Sequence, residues 1–304
     1  MKKLRVLDWY VHQGHQYEFF KTGHDFFLMD ARGNKPKWNA EQRPLGKNVK
    51  LTSKAHADTL DFDVVIIRSP VDVKLYMPYI QRGAKPIAVV QTTNVFNIPK
   101  ECKHTVWNSF DVMNKYKGQV PHSKHEYIVH GYDPDEFIMM DIKKNDRVLT
   151  VANVFKKRAD IMGFDIWKDV NSQVKRLEVI GHGNLDLYPR DKEAKSLKEL
   201  IRVYNMYSVY FNPTRSSAMP RSRAEAAMCG MPIVSTNNYD IGRYFNNKNA
   251  FLSNSTDTLS KNIKFLLEND SARDDFGKAA REVAIKHFNL KDFVGKWNAL
   301  LERV

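Results

Sequence analysis

The sequence predicts an α/β protein built from two parallel-sheet domains, and three observations carry that reading. The N-terminus runs strand, turn, helix, strand: Leu4–Trp9 is a buried apolar run, Val11–Phe20 a glycine-containing turn entering a helix, and Phe26–Met29 a second apolar run. That order is a βαβ unit. Val64–Ile67 and Pro86–Val90 are continuously apolar, as strands covered on both faces require. Lys143–Asp146 is a polar linker, after which the pattern restarts with a strand over Arg147–Asn153.

The elements follow in order. Ala31–Thr59 shows no clear periodicity, is rich in turn residues, and carries Arg32, Lys35, Lys37, Arg43, Lys47, Lys50 and Lys54 around Trp38. A long basic loop carrying an aromatic residue is a candidate for polyanion contact, with Lys35, Lys37 and Arg43 as its contact residues. A helix over Val71–Arg82 precedes the Pro86–Val90 strand, and Thr105–Ser109 is a strand leading into a helix that ends near Lys117. In the second half, Leu177–Ile180 is a strand, Lys192–Met206 has helical spacing in Leu197, Leu200, Ile201 and Tyr204, and Thr256–Asn269 is an amphipathic helix. The tail Asp274–Val304 is helical with a break near Asn289, and Phe293, Val294, Trp297, Leu300 and Leu301 form an apolar stripe suited to core packing.

Composition bounds the function. The 304 residues can bury a substantial core, and 42% hydrophobic with 27% charged residues is ordinary for a globular chain. No apolar run is long enough to span a bilayer, and the N-terminus turns polar too early for a signal peptide. Cys102 and Cys229 lack the spacing of a zinc or redox pair. A reduced, cytoplasmic protein is expected. The formal charge of +13 points to polyanionic partners, either nucleic acid or an anionic membrane surface. The first turn has Gly14 but no G-x-G-x-x-G, so a nicotinamide site is not indicated. Asp133-Pro134-Asp135 spells D-x-D, yet it falls in a Pro-containing interdomain turn rather than at a strand end. No metal site is expected there, and no cofactor.

The most informative stretch is Asn212–Ser235: it leaves a buried run, crosses a Pro- and Ser-rich loop, enters a helix of small residues, and exits through Gly230 and Pro232 into Ile233-Val234. Strand, loop and helix N-terminus in that order put free N–H groups at the carboxyl edge of a parallel sheet, where phosphorylated ligands bind. Ser222 and Glu225 have capping-box spacing. The run Glu225-Ala226-Ala227-Met228-Cys229-Gly230-Met231-Pro232-Ile233-Val234 resembles the signature of retaining GT-B glycosyltransferases of the glycogen-synthase-like group.

That resemblance implies two Rossmann-like domains facing a central cleft, with domains at 1–134 (acceptor side) and 147–286 (nucleotide sugar), and a C-terminal helix, 287–304, crossing back to the first domain. It implies that Glu225 accepts hydrogen bonds from the ribose of a nucleotide sugar, most simply a UDP-sugar, while the amides near Ser222 meet the diphosphate. Arg158 stands where the group has its phosphate-binding lysine, with Lys157 in reserve, and Asn153 replaces the group's arginine. An arginine can clamp a diphosphate bidentately. Gly181 and His182 resemble the element that approaches the nucleobase. Ser217 occupies the place of a second glutamate, a departure that puts the donor sugar in doubt, and Arg221 makes the same loop cationic along with Arg215 and Arg223. In the first domain Gly14, His15 and Gln16 correspond to the loop over donor and acceptor, and Gln91 takes the place of a histidine set against the donor sugar. His15, Arg158 and Glu225 are thus the catalytic candidates.

Compact length, basic loops and the +13 charge also look like the phage enzymes that glycosylate hydroxymethylated pyrimidines in double-stranded DNA, where the target base is flipped out. The alternatives are a transferase working on glycolipid or polysaccharide at a membrane surface, and a nucleotide-sugar- or DNA-binding protein without catalysis.

Overall fold

The computed structural model describes residues 2–30, 38–187 and 192–304. The chain divides into two compact units, one made of Met1–Gly131 with Leu290–Val304 and the other of Tyr132–Asn289.

In the first unit the elements are β1 (Arg5–Trp9), α1 (Gln13–Phe20), β2 (Asp25–Met29), β3 (Val49–Thr52), α2 (Lys54–Ala57), β4 (Val64–Ile67), α3 (Pro70–Gln81), β5 (Lys85–Val90), β6 (His104–Trp107), α4 (Phe110–Tyr116) and β7 (Lys124–Tyr127). Seven parallel strands run in the order β3-β2-β1-β4-β5-β6-β7. The order reverses between β1 and β4, and a crevice outside the carboxyl ends of two such strands is the ligand position of open α/β sheets. The second unit holds β8 (Asn145–Val151), α5 (Ala159–Met162), α6 (Phe164–Val174), β9 (Leu177–Ile180), α7 (Leu197–Met206), β10 (Tyr207–Asn212), α8 (Arg221–Met228), β11 (Ile233–Ser235), α9 (Ile241–Tyr244), β12 (Ala250–Leu252), α10 (Thr256–Glu268) and α11 (Asp270–His287). Its five parallel strands run β12-β11-β10-β8-β9, so the reversal lies between β8 and β10.

The last helix, α12 (Leu290–Leu301), belongs to the first unit. Its stripe of Phe293, Trp297, Leu300 and Leu301 is buried with Phe19, Phe26 and Val6, and Trp297 lies 4.4 Å, ring to ring, from Phe19. Burial of each such side chain stabilises by about 1.5–3 kcal/mol. Gly131 fits this contact, because a Cβ there would run into the Phe293 ring at 2.8 Å.

Two local expectations are corrected. The stretch after Asp30 is not one long loop: Val49–Thr52 pairs with β2 as an edge strand. Trp38 is buried in the core, its N–H held by the Asp30 carboxylate at 3.1 Å and its indole N–H donating to the Arg43 carbonyl at 2.7 Å. Strand alternation was hidden because Val49 and Thr52 point inward on either side of exposed Lys50 and Leu51. The helix expected from Lys192 begins at Leu197, where the Ser196 hydroxyl accepts from the Glu199 N–H and the Glu199 carboxylate accepts from the Lys195 N–H. That reciprocal cap fixes the start.

Candidate functional site

At the carboxyl edge of the first sheet, Asp8 of β1 and Arg68, just after β4, form a fully buried ion pair, Nε to Oδ1 at 3.1 Å and Nη2 to Oδ2 at 2.9 Å. The pair bridges the strand-order reversal. Gln16 completes it: its Nε2 donates to Asp8 Oδ2 and to the Trp9 carbonyl, both at 2.8 Å, and its Oε1 accepts from the Val11 and His12 N–H groups. His15 is buried beside this pair, with Nδ1 3.5 Å from Arg68 and Nε2 2.5 Å from the Gln91 amide. Its ring meets the His130 ring edge-on at 4.7 Å, and His130 in turn is 3.3 Å from the Asn108 amide. Each of β1, β4, β5, β6 and β7 thus sends a polar residue to one edge.

Residues expected to meet an acceptor divide accordingly. Gln16 uses its whole amide inside the fold, and Gly14 is buried in the first turn of α1. Gln91 is half-buried against His15. Arg43 is buried, its guanidinium 5.8 Å over the Tyr17 ring and donating to the Gln42 carbonyl, so it is not a solvent-facing cation. Lys35 and Lys37 lie outside the described residues.

The second sheet's edge is organised differently. Past β8, Asn153 and the turn Lys156–Arg158 are exposed, and neither Lys157 nor Arg158 pairs with a carboxylate among the described residues. The turn is locked from below by buried Asn184, which donates to the Ala152 and Gly181 carbonyls and accepts from the Phe155 N–H at 2.9 Å. Val154 sits at φ 48°, with its N–H on the His182 carbonyl at 2.8 Å. A β-branched residue there costs on the order of 1–3 kcal/mol, strain that collects at functional sites. Gly183 allows that approach, since a Cβ would meet Val154 Cγ1 at 2.7 Å. Gly181 likewise lies against the Ala152 carbonyl. These glycines are therefore explained by packing of one loop on the other, with His182 exposed between them and its N–H on Asn153 Oδ1.

Past β10, α8 starts two residues earlier than the Ser222 cap requires, with Pro220 at the cap position and no side-chain cap. The capping box is corrected: Ser222 instead accepts from the Tyr210 hydroxyl at 2.7 Å. Glu225 is buried; Oε2 accepts from the Tyr204 hydroxyl at 3.0 Å, and Oε1 pairs with Arg221 at 3.4 Å. Burial and the neighbouring Glu225 charge hold the Tyr204 hydroxyl protonated, far above its ordinary range. Burial raises Tyr210 to about 12. The loop's arginines do not form one cationic patch. Arg215 makes a bidentate pair with Asp165, Arg221 packs 4.7 Å over the Tyr132 ring, and Arg223 is buried. Ser217 is half-buried in the loop. At the D-x-D turn, Asp133 Oδ1 accepts from the Asp135 N–H, and no cluster of three or more metal-ligating side chains occurs among the described residues.

Sequence reasoning missed Asp8, Arg68, Asn184 and Tyr204. A signal existed for the first two: each is a lone charge at the C-terminal end of an apolar strand run.

Two parallel α/β units with their polar residues gathered at strand-order reversals make this a GT-B fold, the architecture of its structural neighbours. Residues 156–298 match a family model described as "Glycosyl transferase-like". Solved structures similar to the chain include HepE of Anabaena in complex with UDP and glucose, at TM-score 0.76 and 12% identity over 99% of this chain and 100% of that one. Sucrose-phosphate synthase from Thermosynechococcus elongatus matches at TM-score 0.74 and 11% identity, over 99% of each chain. TarM of S. aureus, in a complex containing UDP and alpha-GlcNAc-glycerol, matches at TM-score 0.66 and 14% identity over 82% of this chain, which spans 58% of TarM's length. No curated protein sequence matches the chain.

Proposed function

We propose that the chain is a retaining glycosyltransferase that moves a sugar from a UDP-sugar to a polyanionic acceptor, most simply hydroxymethylated bases of double-stranded DNA. The observation that carries the donor half is the pairing, at one sheet edge, of the exposed cations Lys157 and Arg158 with the α8 N-terminus and buried Glu225. Arg158 and Lys157 would neutralise the diphosphate with the first amides of α8. Glu225 would receive the ribose hydroxyls on Oε1, where Arg221 pairs loosely, while Tyr204 fixes Oε2. In a front-face displacement the anomeric bond to the diphosphate breaks, the acceptor oxygen bonds on the same face, and its proton passes to the leaving phosphate. With the diphosphate met by cations and amides, transfer is expected to survive EDTA. His15 and Gln91 would orient the acceptor on the first unit.

Charge supports the acceptor class. The first unit holds 23 Lys and Arg against 14 Asp and Glu, so most of the +13 resides there. Binding to DNA should then weaken steeply with salt. A second reading, a glycolipid acceptor at an anionic membrane, is favoured by Val11 and Val71, which are 43% and 66% exposed beside the same sheet edge. No helix among the described residues is long and apolar enough to cross a membrane.

The test is nucleotide-diphosphate release from a panel of nucleotide sugars with no acceptor, plain duplex DNA, or duplex DNA carrying 5-hydroxymethylpyrimidines. Release that requires the modified base is the expected result. Release indifferent to DNA moves the acceptor to lipid or glycan, to be checked by vesicle flotation, and no release with any donor leaves a binding protein without catalysis.

A further inference from the structure

We propose that Arg223 is a buried charge that selects for the diphosphate of the ligand without touching it, acting through the field it places behind the first turn of α8. This rests on the nucleotide-sugar reading of that edge. Arg223 is the third residue of α8, about 3 Å along the axis from the first at 1.5 Å per residue. Its side chain is 1% exposed and runs beneath the helix to Ser235, the last residue of β11, with Nη1 3.3 Å from the hydroxyl. The guanidinium therefore sits at the carboxyl end of β11, beneath the helix that opens with uncapped amides.

What distinguishes Arg223 from its neighbours is that no carboxylate forms an ion pair with it among the described residues. Arg215 is matched by Asp165 and Arg221 by Glu225. Nε and Nη2 of Arg223 meet no hydrogen-bond partner among the described residues. The groups facing it are the hydroxyls of Tyr210 and Tyr132, and buried Asp240, which attracts it without forming an ion pair. Burial lowers its pKa to about 10, still above neutrality, so the charge persists. A desolvated charge with no paired anion is costly, and an anion arriving nearby relieves that cost. The interaction is strong because little water lies between to screen it. The site should consequently discriminate by ligand charge: Arg223 favours the pyrophosphate and is indifferent to the nucleoside.

The experiment compares UDP with uridine, by calorimetry or competition, on the full chain and on Arg223→Met and Arg223→Gln, with Arg223→Lys as the charge-retaining control. Both neutral variants should bind UDP about tenfold more weakly while uridine affinity stays within about twofold, and the lysine variant should keep most of the preference. Asp240→Asn, which leaves Arg223 in place and removes the attracting carboxylate, should shift the preference the other way. Equal loss of UDP and uridine, or an unchanged UDP-to-uridine ratio in the neutral variants, overturns the assignment and leaves the donor site standing. If the neutral variants do not fold, an unchanged ratio in Asp240→Asn overturns it. A native chain that binds neither ligand removes both readings together.

Discussion

The two sheets reverse their strand order at corresponding places, β1 against β4 and β8 against β10, and fill those places in opposite ways. In the first unit Asp8, Arg68, Gln16 and His15 hold one another. Asp8 is satisfied by Arg68, Gln16 and the Trp9 N–H, and His15 by Gln91 and Arg68. In the second unit the cations past β8 stand in solvent, and the helix start past β10 has no side-chain cap. Buried charges need partners of their own chain, whereas a site for a charged ligand must leave some of its charge unspent. The first edge is a closed ion-pair and hydrogen-bond cluster, and the second leaves exposed cations beside an uncapped helix start.

Variants can break or sharpen that contrast. The largest effect is expected from Asp8→Ala, which strands the buried Arg68 guanidinium: about 3–5 kcal/mol of stability should be lost in denaturant unfolding, with UDP affinity of the surviving folded protein unchanged. Glu225→Ala should weaken UDP binding by about 10–100-fold, the range of a lost charge-assisted hydrogen bond. A variant that binds UDP normally would confine Glu225 to a structural partnership with Tyr204. Arg158→Ala should weaken UDP about tenfold while its melting temperature barely moves, because the side chain is exposed and meets no carboxylate among the described residues. A large stability loss there would contradict the contrast between the edges.

The smallest effect is one of pH. Glu178 is partly buried, which would raise its pKa, but hydrogen bonds from Tyr207 and Lys192 and the Arg147 charge outweigh that and hold it below the ordinary value. A depressed carboxylate stabilises the fold above its unfolded pKa and loses that contribution as pH falls through the folded one. Glu178→Gln should therefore flatten the acid limb of the stability profile by less than about 1 kcal/mol, measured by melting between pH 7 and 3. An unchanged acid limb would mean that Glu178 does not hold its three partners in solution.

Much of the fold was legible from local pattern. The apolar runs that became β1, β2, β4, β5 and β9 were visible because a strand covered on both faces is predominantly apolar. β3 was not, because an edge strand of four residues with two exposed positions carries too little periodicity. The α8 edge was legible as a place, since strand, loop and helix are consecutive in sequence. Its details were not: Ser222 has capping-box spacing, and only the Pro220 start, with Tyr210 on the neighbouring strand, decides that the hydroxyl serves elsewhere. Arg43 and Trp38 were read as surface groups because a basic, aperiodic stretch does not reveal which of its members turn inward.

Sequence by itself determined the α/β class, the two-sheet organisation, the carboxyl-edge location of the α8 start and Glu225, and the excess of positive charge. These depend on residues near one another in the chain or on simple counts. Tertiary structure alone decided which charges are matched. Asp8 and Arg68 are separated by 60 residues and Arg215 and Asp165 by 50, while Arg223 ends with no carboxylate paired to it among the described residues. Electrostatic pairing depends on distance and burial in the folded chain, and parallel strands bring together residues that the sequence keeps far apart.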